Sequence, residues 1–150
     1  NLSIGRPLLD NVKPSARFYS DMEKVYEPTA PFPLYGYLLF KDLYYQYPGA
    51  KFILNIRPKE DWLKSRIRHG NGDYLRHFMR TLDIDAPHKA VKMFEDHFDS
   101  HLSHVQEFFK DKPDRLLVFD ILKDGISELS TFFPDINFIN SQWTKCNAGS

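Results

Sequence analysis

A run of five residues, Phe52-Ile53-Leu54-Asn55-Ile56, followed at once by Arg57 and Pro58, constrains this chain more than any other feature. The run is short, rich in β-branched and aromatic residues, and bounded upstream by the turn sequence Tyr47-Pro48-Gly49. It therefore predicts a buried strand. Pro58 suits the first position of a helix, and Glu60 and Asp61 suit the positive end of its dipole. A strand that passes through an arginine directly into a helix is the carboxyl end of a parallel strand, where open α/β sheets bind ligands. Arg57 is thus the first candidate for holding an anion.

The remaining pattern alternates helix and strand. Residues 1–33 are Pro-rich and irregular, with a short helix expected over 16–25. A helix is expected over 34–46, another over 58–69, a turn at His69-Gly70-Asn71-Gly72-Asp73, and a helix over 74–82. Asp85-Ala86-Pro87 opens a long helix reaching about residue 110. Its apolar stripe runs through Val91, Phe94, Phe98, Leu102, Val105 and Phe109, at steps of three and four. Residues 116–119 read as a second buried strand, and 124–133 as a helix stopped by Pro134. Strands alternating with helices imply a parallel sheet flanked by helices, a three-layer α/β sandwich in a single domain over 1–150.

Composition closes off several classes of function. Acidic and basic residues balance at 20 each, which removes any charge-based case for nucleic-acid or membrane-surface binding. The longest apolar run, residues 34–40, is broken by Gly36 and is too short to span a bilayer. The single cysteine, Cys146, excludes an internal disulfide.

Two sets of residues could carry chemistry. Ser65 follows Arg57 by eight residues. From Pro58 to Ser65 is about two helical turns, so Ser65 returns to the face near Arg57. Arginine offers a fixed bidentate fork to phosphate, and a hydroxyl adds one more donor. The bland alternative is an arginine paired with a carboxylate and a serine on a polar face. Lys59, Lys64, Arg66 and Arg68 read first as a solvated face of the same helix, with contact between one of them and the phosphate-bearing ligand as the alternative. The second set is His97, His101 and His104, spaced four and three apart along one flank of the long helix. Such spacing can ligate zinc and would support a metal-dependent hydrolase. No His-Glu-x-x-His accompanies it, and packed or rim histidines are the simpler reading.

The first set carries a resemblance to a known family. Arg57 and Ser65, together with Pro48-Gly49-Ala50-Lys51-Phe52-Ile53-Leu54 and Trp62, resemble the 3′-phosphate-binding segment of sulfotransferases that use 3′-phosphoadenosine 5′-phosphosulfate (PAPS). His101, Val105, Phe108-Phe109, Asp114-Arg115-Leu116-Leu117-Val118-Phe119-Asp120 and Asp124-Gly125 are similar to a later segment of one branch of that family. The resemblance implies a P-loop NTPase-like fold of the sulfotransferase type. It also implies transfer of a sulfuryl group from PAPS to a hydroxyl acceptor, a carbohydrate or small metabolite. Arg57 and Ser65 would then grip the 3′-phosphate of PAPS or of its product, 3′-phosphoadenosine 5′-phosphate.

One departure matters. The family opens with a strand, a glycine-containing phosphate loop and a helix, in which backbone N–H groups cradle the 5′-phosphosulfate beside a lysine. None of the seven glycines here is followed by Lys, and no strand-like run precedes Gly5. The chain thus reads as incomplete at its amino terminus or as a non-catalytic nucleotide-binding relative that never had the loop. The resemblance places the catalytic base before the 3′-phosphate strand, where Asp21, Glu23 and Glu27 stand, with Asp10 more remote. The branch's Asp just before Pro31-Phe32-Pro33 is replaced by Thr29-Ala30.

Overall fold

The computed structural model describes residues 34–139, together with Leu9, Phe18, Tyr19 and the backbone of Glu23–Lys24. Two short strands come first, β1 (Glu23–Lys24) and β2 (Leu34–Tyr35), paired antiparallel. A 3₁₀ turn over Gly36–Leu39 leads into α1 (Phe40–Gln46). Then follow β3 (Phe52–Ile56), α2 (Lys59–Arg68), α3 (Asp73–Thr81), α4 (Pro87–Phe109), β4 (Leu116–Asp120) and α5 (Ile126–Phe132).

The central pair is parallel, as the strand–helix pattern requires. β3 lies beside β4 in a register that sets Phe52 against Leu116 and Ile56 against Asp120. The pairing is extended at both ends: Phe52 N–H donates to Arg115 C=O at 2.8 Å, and Ile121 N–H donates to Ile56 C=O at 3.1 Å. Alternation along β3 sends Leu54, with Phe52 and Ile56, into a cluster with Phe40 of α1 and Val105 and Phe109 of α4. Leu117 lines a shallow surface cleft together with Ser127, Thr131 and Phe132 of α5. A second cluster lies away from the sheet. There Phe78 of α3 and Ala90 and Phe94 of α4 are essentially sealed, with Trp62 and Leu63 of α2 packed around them. α4 therefore bridges both clusters, its first half on α2 and α3, its last on the sheet and α1.

Two expectations need correction. The helix expected over 16–25 is contradicted where that stretch is described, because Glu23–Lys24 is extended and pairs with Leu34–Tyr35; the rest lies outside the described residues. The helix expected over 34–46 begins only at Phe40. Leu34–Tyr35 spends its backbone hydrogen bonds on β1, and Gly36, a poor helix former, starts a tighter turn instead. A smaller shift concerns Pro58, which caps α2 rather than opening it. Its backbone is extended (ψ 132°), and its carbonyl accepts from the N–H groups of Asp61 and Trp62, both at 3.1 Å.

The α2–α3 turn falls where its glycines predict. Gly70, Asn71 and Gly72 all have positive φ (58°, 54° and 82°). At Gly72 a Cβ would stand 3.1 Å from the Arg76 guanidinium, so glycine suits this position on two counts. The tight turn folds α3 back against α2 and lets both pack on α4.

Candidate functional site

A cavity of about 1520 Å³ is walled by β3, α2 and α4 and floored in part by residues around Tyr47. Arg57 enters it from the carboxyl end of β3. Ser65 enters it from the second turn of α2, so the eight-residue spacing does bring the two side chains to one cavity. The α2 residues facing it are Trp62, Ser65 and Arg66, with His69 just beyond the helix end. Their spacing of three, one and three is one helical face.

The charge at this wall follows from which groups are already paired. Arg57 and Ser65 make no side-chain hydrogen bond or ion pair with any other described residue. Lys59 is committed elsewhere: its ammonium sits 2.9 Å from Asp99 of α4, a hydrogen bond that raises its pKa. Lys64 lies 3.8 Å from Asp61 on its own helix. Nor is Asp120, at the carboxyl end of β4, a counter-ion for Arg57. Its carboxylate accepts from the Leu122 N–H at 3.0 Å and faces Lys123 at 3.0 Å, and these bonds hold it below the usual carboxylate range. A guanidinium left without a carboxylate at the mouth of a parallel strand fits an anionic ligand.

Arg66 differs from its expected place on a solvated face. It is half-buried, with its guanidinium 4.8 Å from the Trp62 ring, 4.6 Å from Tyr74 and 5.4 Å from Phe94, and it donates to the Tyr74 hydroxyl. The i, i+4 spacing of Trp62 and Arg66 was the available clue, since it stacks the two on one face.

The histidines of α4 separate. His97 and His101 line the same cavity, whereas His104 is exposed. The His97 ring meets Tyr35 edge-on at 5.7 Å, and the His101 ring meets Tyr37 at 4.9 Å and Phe40 at 6.0 Å. Burial, helped by nearby His104, lowers the His101 pKa. Among the described residues no group of three or more His, Cys, Asp or Glu could hold a metal ion. The zinc arrangement of His97, His101 and His104 is therefore corrected: aromatic packing, not ligand convergence, orients the first two.

The family model for the sulfotransferase domain matches residues 15–89, half of the chain. The chain belongs to the sulfotransferase family. The matched span holds Arg57, Ser65, Arg66 and the whole of β3, α2 and α3. The second resembling segment, His101 to Gly125, falls outside it. No curated protein and no solved structure matches this sulfotransferase chain. The carboxylates considered as catalytic bases are not placed: Asp10, Asp21 and Glu27 lie outside the described residues, and of Glu23 only the backbone is described. Among the described residues no helix is long and apolar enough to cross a membrane.

Proposed function

We propose that this domain serves a PAPS-dependent sulfotransferase that moves a sulfuryl group to a hydroxyl on a carbohydrate or small metabolite. The observation that carries the reading is the shared cavity of Arg57, free of any described carboxylate, and Ser65, at the carboxyl end of a parallel strand. Arg57 offers a planar fork to the 3′-phosphate and Ser65 a hydroxyl to the same group. On this reading the parallel pair belongs to a three-layer, P-loop-type sheet.

PAPS, when bound, supplies an activated sulfuryl group whose bond to the 5′-phosphate breaks as the acceptor oxygen bonds to sulfur. What these residues contribute is position: fixing the 3′-phosphate fixes the register of the nucleotide in the cavity, which is worth most when the reacting atoms are held in line. The acceptor's proton needs a base within hydrogen-bond reach. The acceptor itself would occupy the part of the cavity walled by Tyr37, Phe98 and Leu102.

Calorimetric titration with 3′-phosphoadenosine 5′-phosphate tests the reading. Micromolar binding by the chain, lost in Arg57→Ala, is the expected result. A folded chain that fails to bind, both alone and when extended upstream, would rule it out.

A further inference from the structure

Sulfuryl transfer needs a group to take the acceptor's proton, and the cavity walls hold few that could. The lining groups able to accept a proton at neutral pH are His69, His97, His101 and Asp135. His69 and Asp135 stand at exposed positions. A histidine base has to carry its proton as a cation, with both ring nitrogens as donors. His101 is poorly suited to that, because its Nδ1 is buried with no hydrogen-bond partner and burial lowers its pKa. His97 differs. It is half-buried, its ring nitrogens make no hydrogen bond to any other described residue, and neither nitrogen is buried. The Tyr35 ring meets it edge-on at 5.7 Å and orients it. Two contacts set its level in the cavity. Lys59, two residues past Arg57, bonds Asp99 at 2.9 Å, and Trp62, in the first turn of α2, meets Phe98 at 5.1 Å. α4 therefore brings residues 97–99 to the carboxyl end of β3, where Arg57 stands.

We propose that His97 is the catalytic base, taking the proton of the acceptor hydroxyl in the part of the cavity beside Phe98. The inference rests on the sulfotransferase reading given above and adds the base which that reading lacks. It departs from the resemblance, which places the base before β3, whereas His97 follows β3 on α4. As the acceptor oxygen bonds to sulfur, its proton passes to a ring nitrogen of His97, and the electron pair of the breaking S–O bond leaves with the 5′-phosphate. The other charged or titratable groups around the cavity are Lys51, Arg57, Arg66, His69, His101 and Asp135, with Tyr19, Tyr37, Tyr47 and Tyr74. Tyr35 faces His97 from β2, and the Lys59–Asp99 pair lies beside it between α2 and α4.

The competing explanation is that His97 only packs against Tyr35. His97→Phe keeps a ring there and removes the base, so it separates the two. Its unfolding midpoint should stay near wild type, while kcat for sulfuryl transfer from PAPS to glucose as acceptor probe falls by about 10²-fold or more with KM little changed. Transfer to 4-nitrophenol, largely ionised at neutral pH, should fall less, because that oxygen needs no base. His104→Phe, outside the cavity, should change neither rate. A readout independent of turnover is the NMR spectrum of the histidine rings at fixed neutral pH, assigned in the wild-type chain. Saturating 3′-phosphoadenosine 5′-phosphate should move the His97 ring resonances toward the protonated form, since a bound anion favours the cation, and leave those of exposed His104 in place. Unmoved His97 resonances in the nucleotide-saturated chain, or full turnover of glucose by His97→Phe, would overturn the proposal while leaving the Arg57 site standing. Nucleotide binding that is insensitive to Arg57→Ala overturns the underlying reading instead, and this inference with it. Should neither probe be turned over, or His97→Phe fail to fold, the ring resonances decide.

Discussion

The two ends of α4 and its middle continue one apolar stripe, yet they do different work. At the ends the stripe is sealed: Ala90 and Phe94 against α2 and α3, Val105 and Phe109 against β3 and α1. In the middle, Phe98 and Leu102 are half-buried and, with His97 and His101, face the cavity that holds Arg57 and Ser65. Packing at the two ends holds the helix; the open middle lines a site. The lesson is that 3.6-residue periodicity marks the face a helix turns inward, but not whether protein or ligand lies opposite it.

Substitutions along the stripe test that division. Phe94→Ala, at a residue only 1% exposed, is expected to destabilise the domain by about 3–5 kcal/mol in urea unfolding. Phe98→Ala removes a ring 5.1 Å from Trp62 beside open cavity and should cost roughly 1–2 kcal/mol, because solvent already reaches part of the site. Equal costs at the two positions would mean that the middle of α4 is core after all.

A smaller effect concerns pH. Burial holds the His101 pKa below its ordinary 6.5, so in that range the unfolded chain binds more protons than the folded one. Stability should therefore be full above about 6.5 and decline as the pH falls through the interval down to the folded-state value. His101→Phe, which keeps a ring against Tyr37 and Phe40, should flatten this dependence when unfolding midpoints are compared across that interval. A slope unchanged in the variant would show that His101 does not set it.

Much of this was legible in the sequence, for physical reasons that can be named. Residues 52–56 form a strand because a short apolar run bounded by Pro-Gly and Arg-Pro leaves little else, and Phe94 and Phe109 are buried because helical spacing puts them on one face. That Arg57 and Ser65 line one cavity follows from two turns of helix. The start of α1 was not legible, because Leu34–Tyr35 extends through pairing with a segment ten residues upstream, a non-local contact that local propensity does not encode. Arg66 departs from a solvated face because long basic side chains lay their stems and planes on aromatic rings, which charge alone does not reveal. The catalytic base was not legible at all: carboxylates in a Pro-rich stretch have no periodicity by which one can be told from another.

The contrast between Arg57 and Arg115 offers the most direct test of the central claim. Both stand next to strands of the same parallel pair, but Arg115 is committed. Its Nε donates to Ala50 C=O at 2.8 Å, and its guanidinium lies 4.6 Å from the Tyr44 ring. The measurement is thermal unfolding of the wild-type chain, Arg57→Ala and Arg115→Ala, each with and without saturating 3′-phosphoadenosine 5′-phosphate. The account predicts a lower Tm without ligand for Arg115→Ala, a near-wild-type Tm for Arg57→Ala, and a ligand-induced rise in Tm in every chain except Arg57→Ala. An Arg57→Ala chain that the nucleotide stabilises as much as wild type would contradict it.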